Sequence, residues 1–300
     1  MKIKLVLQPE KFTSFNSSYL ESLWGEYFDI ELYDETTTYA QNVLFVFWWM
    51  DDKNPQLNRL FDQGHKIVID NLWETHKAEF DKFYQLNNPN WWWWNESLWW
   101  SALGYDQYVP NKNYKKIALM PIRRDSQVRD LIVKKMLPWL DQMIWSYKDR
   151  SLPNDRYIDK FGKVDQRFMN PQWFDDTYIN LVVENSQIGP GLIVSEKTYK
   201  PCAFYQPMLI VGQSGALKFI KTQGFETFDN IFDESYDQET DFEKRLHIIS
   251  ENLNRVSKEP YSDLTWKKLK HNHNHFFDKT LVKNSIIKEI IDPLIEYAST

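Results

Sequence analysis

Short apolar runs alternate with segments of helical spacing along the first third of the chain. Residues 2–7, 30–33, 42–49 and 66–69 are rich in Val, Ile, Leu and aromatic side chains and have the length of strands. Between them, 17–27 and 55–63 repeat their apolar positions at helical intervals. A Ser pair opens the first as an N-cap, and Pro55 stands at an early helical position in the second. Strands and helices in alternation predict a parallel sheet with helices on both faces.

The turn-prone tetrapeptide Pro110-Asn111-Lys112-Asn113 interrupts this pattern, and a new apolar strand follows at 116–120. The pattern then predicts a helix over 126–144, a strand over 178–183, a helix from Ser195, a strand over 208–211 and a helix over 215–223. Residues 239–256 and 264–297 are helical by period. The expected architecture is α/β. Two Rossmann-like, doubly wound domains, 1–110 and 114–300, face a cleft, and the second ends in helices. Ligands of such sheets bind at the carboxyl ends of the strands.

Composition narrows the class. The 300 residues are 42% hydrophobic and 16% aromatic, enough for the cores of two domains. The longest apolar run, 43–50, falls far short of the roughly 18 residues of a membrane helix, so no membrane span is expected. Leu5-Val6-Leu7 is too short for a secretory h-region and reads as a first strand. The single cysteine, Cys202, excludes an internal disulfide and fits a reducing, cytoplasmic setting, where the sequon at Asn95 carries no glycan. A net charge of −6 gives no general electrostatic reason to bind nucleic acid, although basic residues gather over 112–135.

The chemistry concentrates in VVENSQIGPGLIVSEKTYKPCAFYQPMLIVG, residues 182–212. A helix that begins just after a parallel strand has unpaired amides and partial positive charge at its first turn, which suits an anion. Ser195 is a good N-cap there, Glu196 suits the first turn and Lys197 adds a full positive charge. Glu184 and Asn185 end the preceding strand and can exchange hydrogen bonds with sugar or ribose hydroxyls. Spacing alone leaves open an ordinary capped helix.

Glu184-Asn185-Ser186, then Val194-Ser195-Glu196-Lys197-Thr198-Tyr199, then Gln206-Pro207-Met208-Leu209-Ile210-Val211-Gly212 resembles the donor-binding motif of the α1,3-fucosyltransferases, glycosyltransferase family 10. KIALMPIRRDSQVRDLIVKKM is similar to that family's segment in which an Arg at the head of a helix holds the donor phosphate. The resemblance covers roughly residues 114–235. It implies the GT-B fold, a GDP-fucose donor, inversion at the anomeric carbon and no metal in the site. It further implies that Lys197 and Arg129 contact the diphosphate, with Glu196, Glu184 and Asn185 facing sugar and ribose. Arg123 and Arg124, in the loop before that helix, suit a share of the phosphate, because guanidinium grips phosphate oxygens bidentately.

Inverting transfer needs a base for the acceptor hydroxyl. The loops after the apolar strands of the first domain supply Asp51, Asp70 and Glu74. Glu74 is favoured, since the resemblance implies a base that is a Glu just after a strand in the first domain. In NWWWWNESLWW, residues 90–100, Trp93 and Trp94 suit stacking on an acceptor sugar, and they equally suit a core. His271, His273 and His275 fall in a helical pattern, where a spacing of two spreads the rings around the axis and disfavours a shared metal. The expected function is transfer of a sugar from a nucleotide diphosphate, GDP-fucose by resemblance, to a glycan or other hydroxyl acceptor, with no cofactor beyond the donor. A non-catalytic carbohydrate-binding protein of the same fold, and a transferase acting on modified DNA bases, stay open as alternatives.

Overall fold

The computed structural model describes residues 2–7, 18–40, 43–48, 55–71, 83–87, 90–154, 169–189, 191–256 and 258–300; within these, the side chains at 18–22, 47, 48, 70, 71, 87 and 91 are outside the description. The chain divides into two compact units, Met1–Leu98 with Lys279–Thr300, and Trp99–Asp278.

The first unit runs β1 (Ile3–Leu7), α1 (Ser18–Tyr27), β2 (Phe28–Leu32), β3 (Val43–Trp48), α2 (Pro55–Asp62), β4 (Lys66–Asn71), β5 (Tyr84–Asn87) and α3 (Trp91–Ala102), the last crossing into the second unit. The strands are all parallel, in the order β2-β1-β3-β4-β5. Strand β5 pairs only with β4, and its four residues alternate too briefly to stand out from a loop. Helix α3 is apolar almost all round and correspondingly deep. Its Trp93 and Trp94 are 3% and 0% exposed, so they serve the core and present no ring face to an acceptor, contrary to the expectation for them. The sequon residue Asn95 is buried in the same helix.

In the second unit come β6 (Lys116–Pro121), α4 (Gln127–Met136), β7 (Met143–Ser146), α5 (Pro171–Asp175), β8 (Thr177–Val183), α6 (Glu196–Ala203), β9 (Met208–Val211), α7 (Ala216–Thr222), α8 (Phe242–Arg255) and α9 (Asp263–Phe276). Its strands are parallel in the order β7-β6-β8-β9. Every residue of β8 and β9 is buried, as expected of central strands covered on both faces. The helix expected over 126–144 stops at Met136. Pro138 lacks an N–H for a further α turn, a 3-10 turn takes Leu137–Gln142, and Met143 then pairs in β7.

The turn at 110–113 lies inside this unit rather than between domains. The Asn111 amide donates to Asp175 Oδ1 at 3.0 Å, and Lys112 Nζ donates to the carbonyls of Phe174 and Phe204 at 3.1 and 2.8 Å. The terminal helices α10 (Lys279–Ile286) and α11 (Asp292–Ser299), joined by a π segment at Ile287–Ile291, belong to the first unit. Lys66 Nζ there donates to the carbonyls of Tyr297 and Ala298, both at 3.0 Å, and the rings of Tyr84 and Tyr297 stack at 4.5 Å. No described helix is long and apolar enough to cross a membrane.

Candidate functional site

Strands β6 and β8 are neighbours from which the chain departs in opposite directions, to β7 and to β9, so the second sheet reverses its order between them. A crevice at such carboxyl ends is where open α/β sheets take their ligands. The loops leaving these two strands, 122–126 and 184–195, carry the residues singled out from the sequence.

Ser126 caps α4 by accepting the Arg129 amide at 3.2 Å. The cap sets Arg129 on the first turn, 7% exposed, where Nη1 donates to the Arg124 carbonyl at 2.9 Å and Nη2 to the Glu184 carbonyl at 3.4 Å. One guanidinium thus ties the two loops together. Burial, with the neighbouring charge of Arg124 next in size, lowers its pKa. Arg123 and Arg124 are exposed beside it.

Glu184 departs from its expected role of facing the donor's sugar. Its side chain is wholly buried and accepts four hydrogen bonds, from the Ser195 amide (3.1 Å), the Ser195 hydroxyl (2.5 Å), the Thr198 hydroxyl (2.6 Å) and the Asn185 amide (3.2 Å). Ser195 is the N-cap of α6, so the anion at that helix terminus is the protein's own carboxylate. Helix α7 repeats the device, since its Leu217 and Lys218 amides donate to the Asp237 carboxylate at 2.8 and 3.0 Å.

Lys197 projects from the first turn of α6, with Nζ donating to Glu196 Oε1 (2.8 Å), Asn185 Oδ1 (3.0 Å) and Ser195 Oγ (3.2 Å). Its side chain is 23% exposed, whereas Glu196 is buried beneath it. Burial pushes the Glu196 carboxyl up, but the charges of Lys197 and Lys200, with hydrogen bonds from Lys197 and Ser195, outweigh it and hold the pKa below its ordinary value of 4.5. Ser195 and Glu196 therefore organise the site from below. Lys197, Asn185, Arg123 and Arg124 supply its accessible polar groups.

Arg245 is a residue that sequence reasoning missed. Only 3% exposed, it donates from Nε to the Gly212 carbonyl (3.1 Å), from Nη2 to Gln187 (2.6 Å) and from Nη1 to Glu239 and Thr240 (2.6 and 3.1 Å). It fastens the loops after β8 and β9 to the start of α8. The available signal was its place on the core-facing stripe of α8, with Leu246, Ile249 and Leu253. Gln213 adds to this, accepting the Ile193 amide and donating to the Gly189 carbonyl, both at 2.9 Å.

Asp51 and Glu74 lie outside the described residues, and Asp70 is placed in β4 with its side chain outside the description. The three histidines of α9 reach carbonyls. His271 and His275 share one face and meet Gly224 and Gln223 at 2.8 and 2.7 Å, while His273 turns to Cys202 at 3.3 Å. Among the described residues no group of three His, Cys, Asp or Glu side chains is placed to hold a metal ion.

No family model matches the chain, and no curated protein matches it in sequence. Several solved structures are similar in fold, three α1,3-fucosyltransferase structures among them. The three are a crystal structure of an α1,3-fucosyltransferase (TM-score 0.49, 12% identity, over 94% of this chain and 92% of that one), one of an α1,3-fucosyltransferase with GDP (0.47, 14%, 94% and 92%) and one with GDP-fucose (0.46, 13%, 93% and 91%).

Proposed function

We propose that the chain is a glycosyltransferase that seats a nucleotide diphosphate sugar at the carboxyl ends of β6 and β8 and passes the sugar to a hydroxyl acceptor. The observation that carries this reading is the joining of the loops after β6 and β8 by Arg129, which donates to the Arg124 and Glu184 carbonyls, with Arg123 and Arg124 exposed on the first loop and Lys197 bonded to Asn185 of the second. Cations fixed before the reaction stabilise the charge that develops on a leaving diphosphate without reorganising. Because Glu184 and Asp237 already neutralise the ends of α6 and α7, the side-chain cations, rather than those helix amides, take the phosphates. The exposed Asn185 amide, whose Oδ1 accepts from Lys197 Nζ at 3.0 Å, is the group assigned on this reading to the sugar or ribose hydroxyls.

GDP and fucose are the finer assignment, resting on the resemblance of the Glu-Asn-Ser and Ser-Glu-Lys segments. Inversion and a base drawn from Asp51, Asp70 or Glu74 complete it, with Glu74 first. The reading in which tryptophans bind carbohydrate without turnover is weakened by the burial of Trp93 and Trp94.

The test is thermal unfolding with GDP, UDP, CDP and ADP. A nucleotide at 100 times its Kd raises the folded state's stability by about 2.7 kcal/mol. Arg124→Ala and Lys197→Ala each diminish that response, whereas Glu74→Ala keeps it and abolishes sugar transfer. A chain indifferent to all four nucleotides is not a transferase of this kind.

A further inference from the structure

Strands β2 and β3 lie on either side of β1, so the link between them must cross a strand. Such a crossover ordinarily carries a helix that covers the sheet. Here the described part of the link, residues 33–40, is turn and irregular chain with no helix in it. Between this segment and α2 lies a cavity of about 400 Å³, within the size range of small-ligand sites.

Its lining is hydroxyl-rich and mixed in sign. Thr36, Thr37 and Thr38 contribute three successive side chains, with Glu35 on the same segment and Arg59 and Gln63 from α2 and the turn after it. The lining holds one carboxylate, one guanidinium and His65, whose pKa burial lowers, so near neutral pH its formal charges cancel and no excess charge selects a phosphate or an ammonium group. The floor is aromatic. Tyr33 and Tyr39 stack at 5.9 Å, Tyr39 meets Phe45 edge-on at 5.0 Å, and the phenols are engaged, Tyr33 accepting from Arg59 Nη2 at 3.0 Å and Tyr39 from the Asp34 amide at 2.7 Å. Asp34 Oδ1 also accepts from both the amide and the hydroxyl of Thr36 at 2.8 Å, which braces the threonine run. Such a wall is preorganised before any ligand arrives.

Hydroxyls and amides around a tyrosine face match an uncharged molecule with many hydroxyl groups and apolar C–H faces. We propose that this cavity of the first unit binds a neutral saccharide of one or two rings, at a site separate from the β6–β8 edge. The site is built from residues of the first unit and needs no residue of the second.

The test uses the full chain with maltose, lactose and chitobiose as probes, followed by saturation-transfer NMR and calorimetry. At least one disaccharide binds with a millimolar Kd. Thr37→Arg and, separately, Gln63→Trp, both substitutions at exposed rim positions that fill the cavity, weaken binding at least tenfold. The thermal response to the nucleotide panel stays unchanged in both variants, so failure here is distinguishable from failure of the transferase reading. The proposal falls if no probe binds at 10 mM, if adenosine binds there in preference to the saccharides, or if either folded variant binds as tightly as the parent.

Discussion

The hydroxyl of Ser195 donates to Glu184 Oε2 at 2.5 Å, across eleven positions of chain, and the Ser195 amide donates to the other oxygen of the same carboxylate at 3.1 Å. The end of β8 and the start of α6 are therefore clamped by one residue. Glu184→Ala removes the acceptor of four donors, several of them buried. The cost is about 3 kcal/mol or more, because hydrogen bonds to charged groups are strong and the orphaned donors stay dehydrated. Urea unfolding measures it. A loss below about 0.5 kcal/mol, the scale of an ordinary surface substitution, would return Glu184 to a ligand-facing role.

Beneath Lys197, the Glu196 carboxyl titrates below 4.5 in the folded protein and at its ordinary value when unfolded. The sign follows from linkage: the unfolded chain binds the proton first on acidification, so this group's stabilising contribution is complete above pH 4.5 and is lost as pH falls through the folded value. Lys197→Met deletes the ammonium 2.8 Å from Glu196 Oε1 while leaving burial in place. Its acid-unfolding midpoint then moves to higher pH than the parent's, as followed by circular dichroism. Superimposable acid transitions would show that the pair is electrostatically idle.

Lys112 titrates the other way. Burial drives its amine down from 10.5 to about 7, against the opposing pull of Asp175. Between those values the unfolded chain holds a proton that the folded chain has shed, so this group's contribution to stability rises with pH from about 7 to 10.5. A neutral amine still has the two N–H groups that the Phe174 and Phe204 carbonyls require. Lys112→Met should therefore compare best with the parent below pH 7 and lose ground steadily toward pH 10. Denaturant titrations of the two proteins at pH 6, 8 and 10 check this, and a pH-independent difference contradicts it.

Much of the architecture was legible because period and burial coincide: the fully buried β9 is an uninterrupted apolar run, the fully buried β8 is broken only by Thr177 and Asn180, and Ser195 caps the helix its sequence announces. What escaped was information that one residue's chemistry does not carry. A carboxylate after a strand can turn outward to a ligand or inward to a helix terminus, and Glu184 turned inward. Helical period is silent about which core a helix covers, so the return of Lys279–Thr300 to the first unit could not be read from it. Strands β5 and β7 are four-residue edges, too short to show alternation. Arg245 is not singled out by the sequence, and it is its four carbonyl partners that place it inside.

The C-terminus of α7 tests the histidine helix independently of any activity. Gly224 follows it with φ +93°, a left-handed value natural to glycine, and a Cβ built there falls 2.8 Å from Cε1 of His275, whose Nε2 meets the Gln223 carbonyl at 2.7 Å. Gly224→Ala meets two penalties at once. The backbone cost of a left-handed alanine is about 1–2 kcal/mol, and the ring must also leave its carbonyl. His275→Ala vacates the space, so it removes the second penalty and not the first. In a double-mutant cycle the alanine at 224 therefore costs less in the His275→Ala background than in the parent, by about 0.5 kcal/mol or more. Strict additivity in urea unfolding would mean that the ring and the turn do not press on one another.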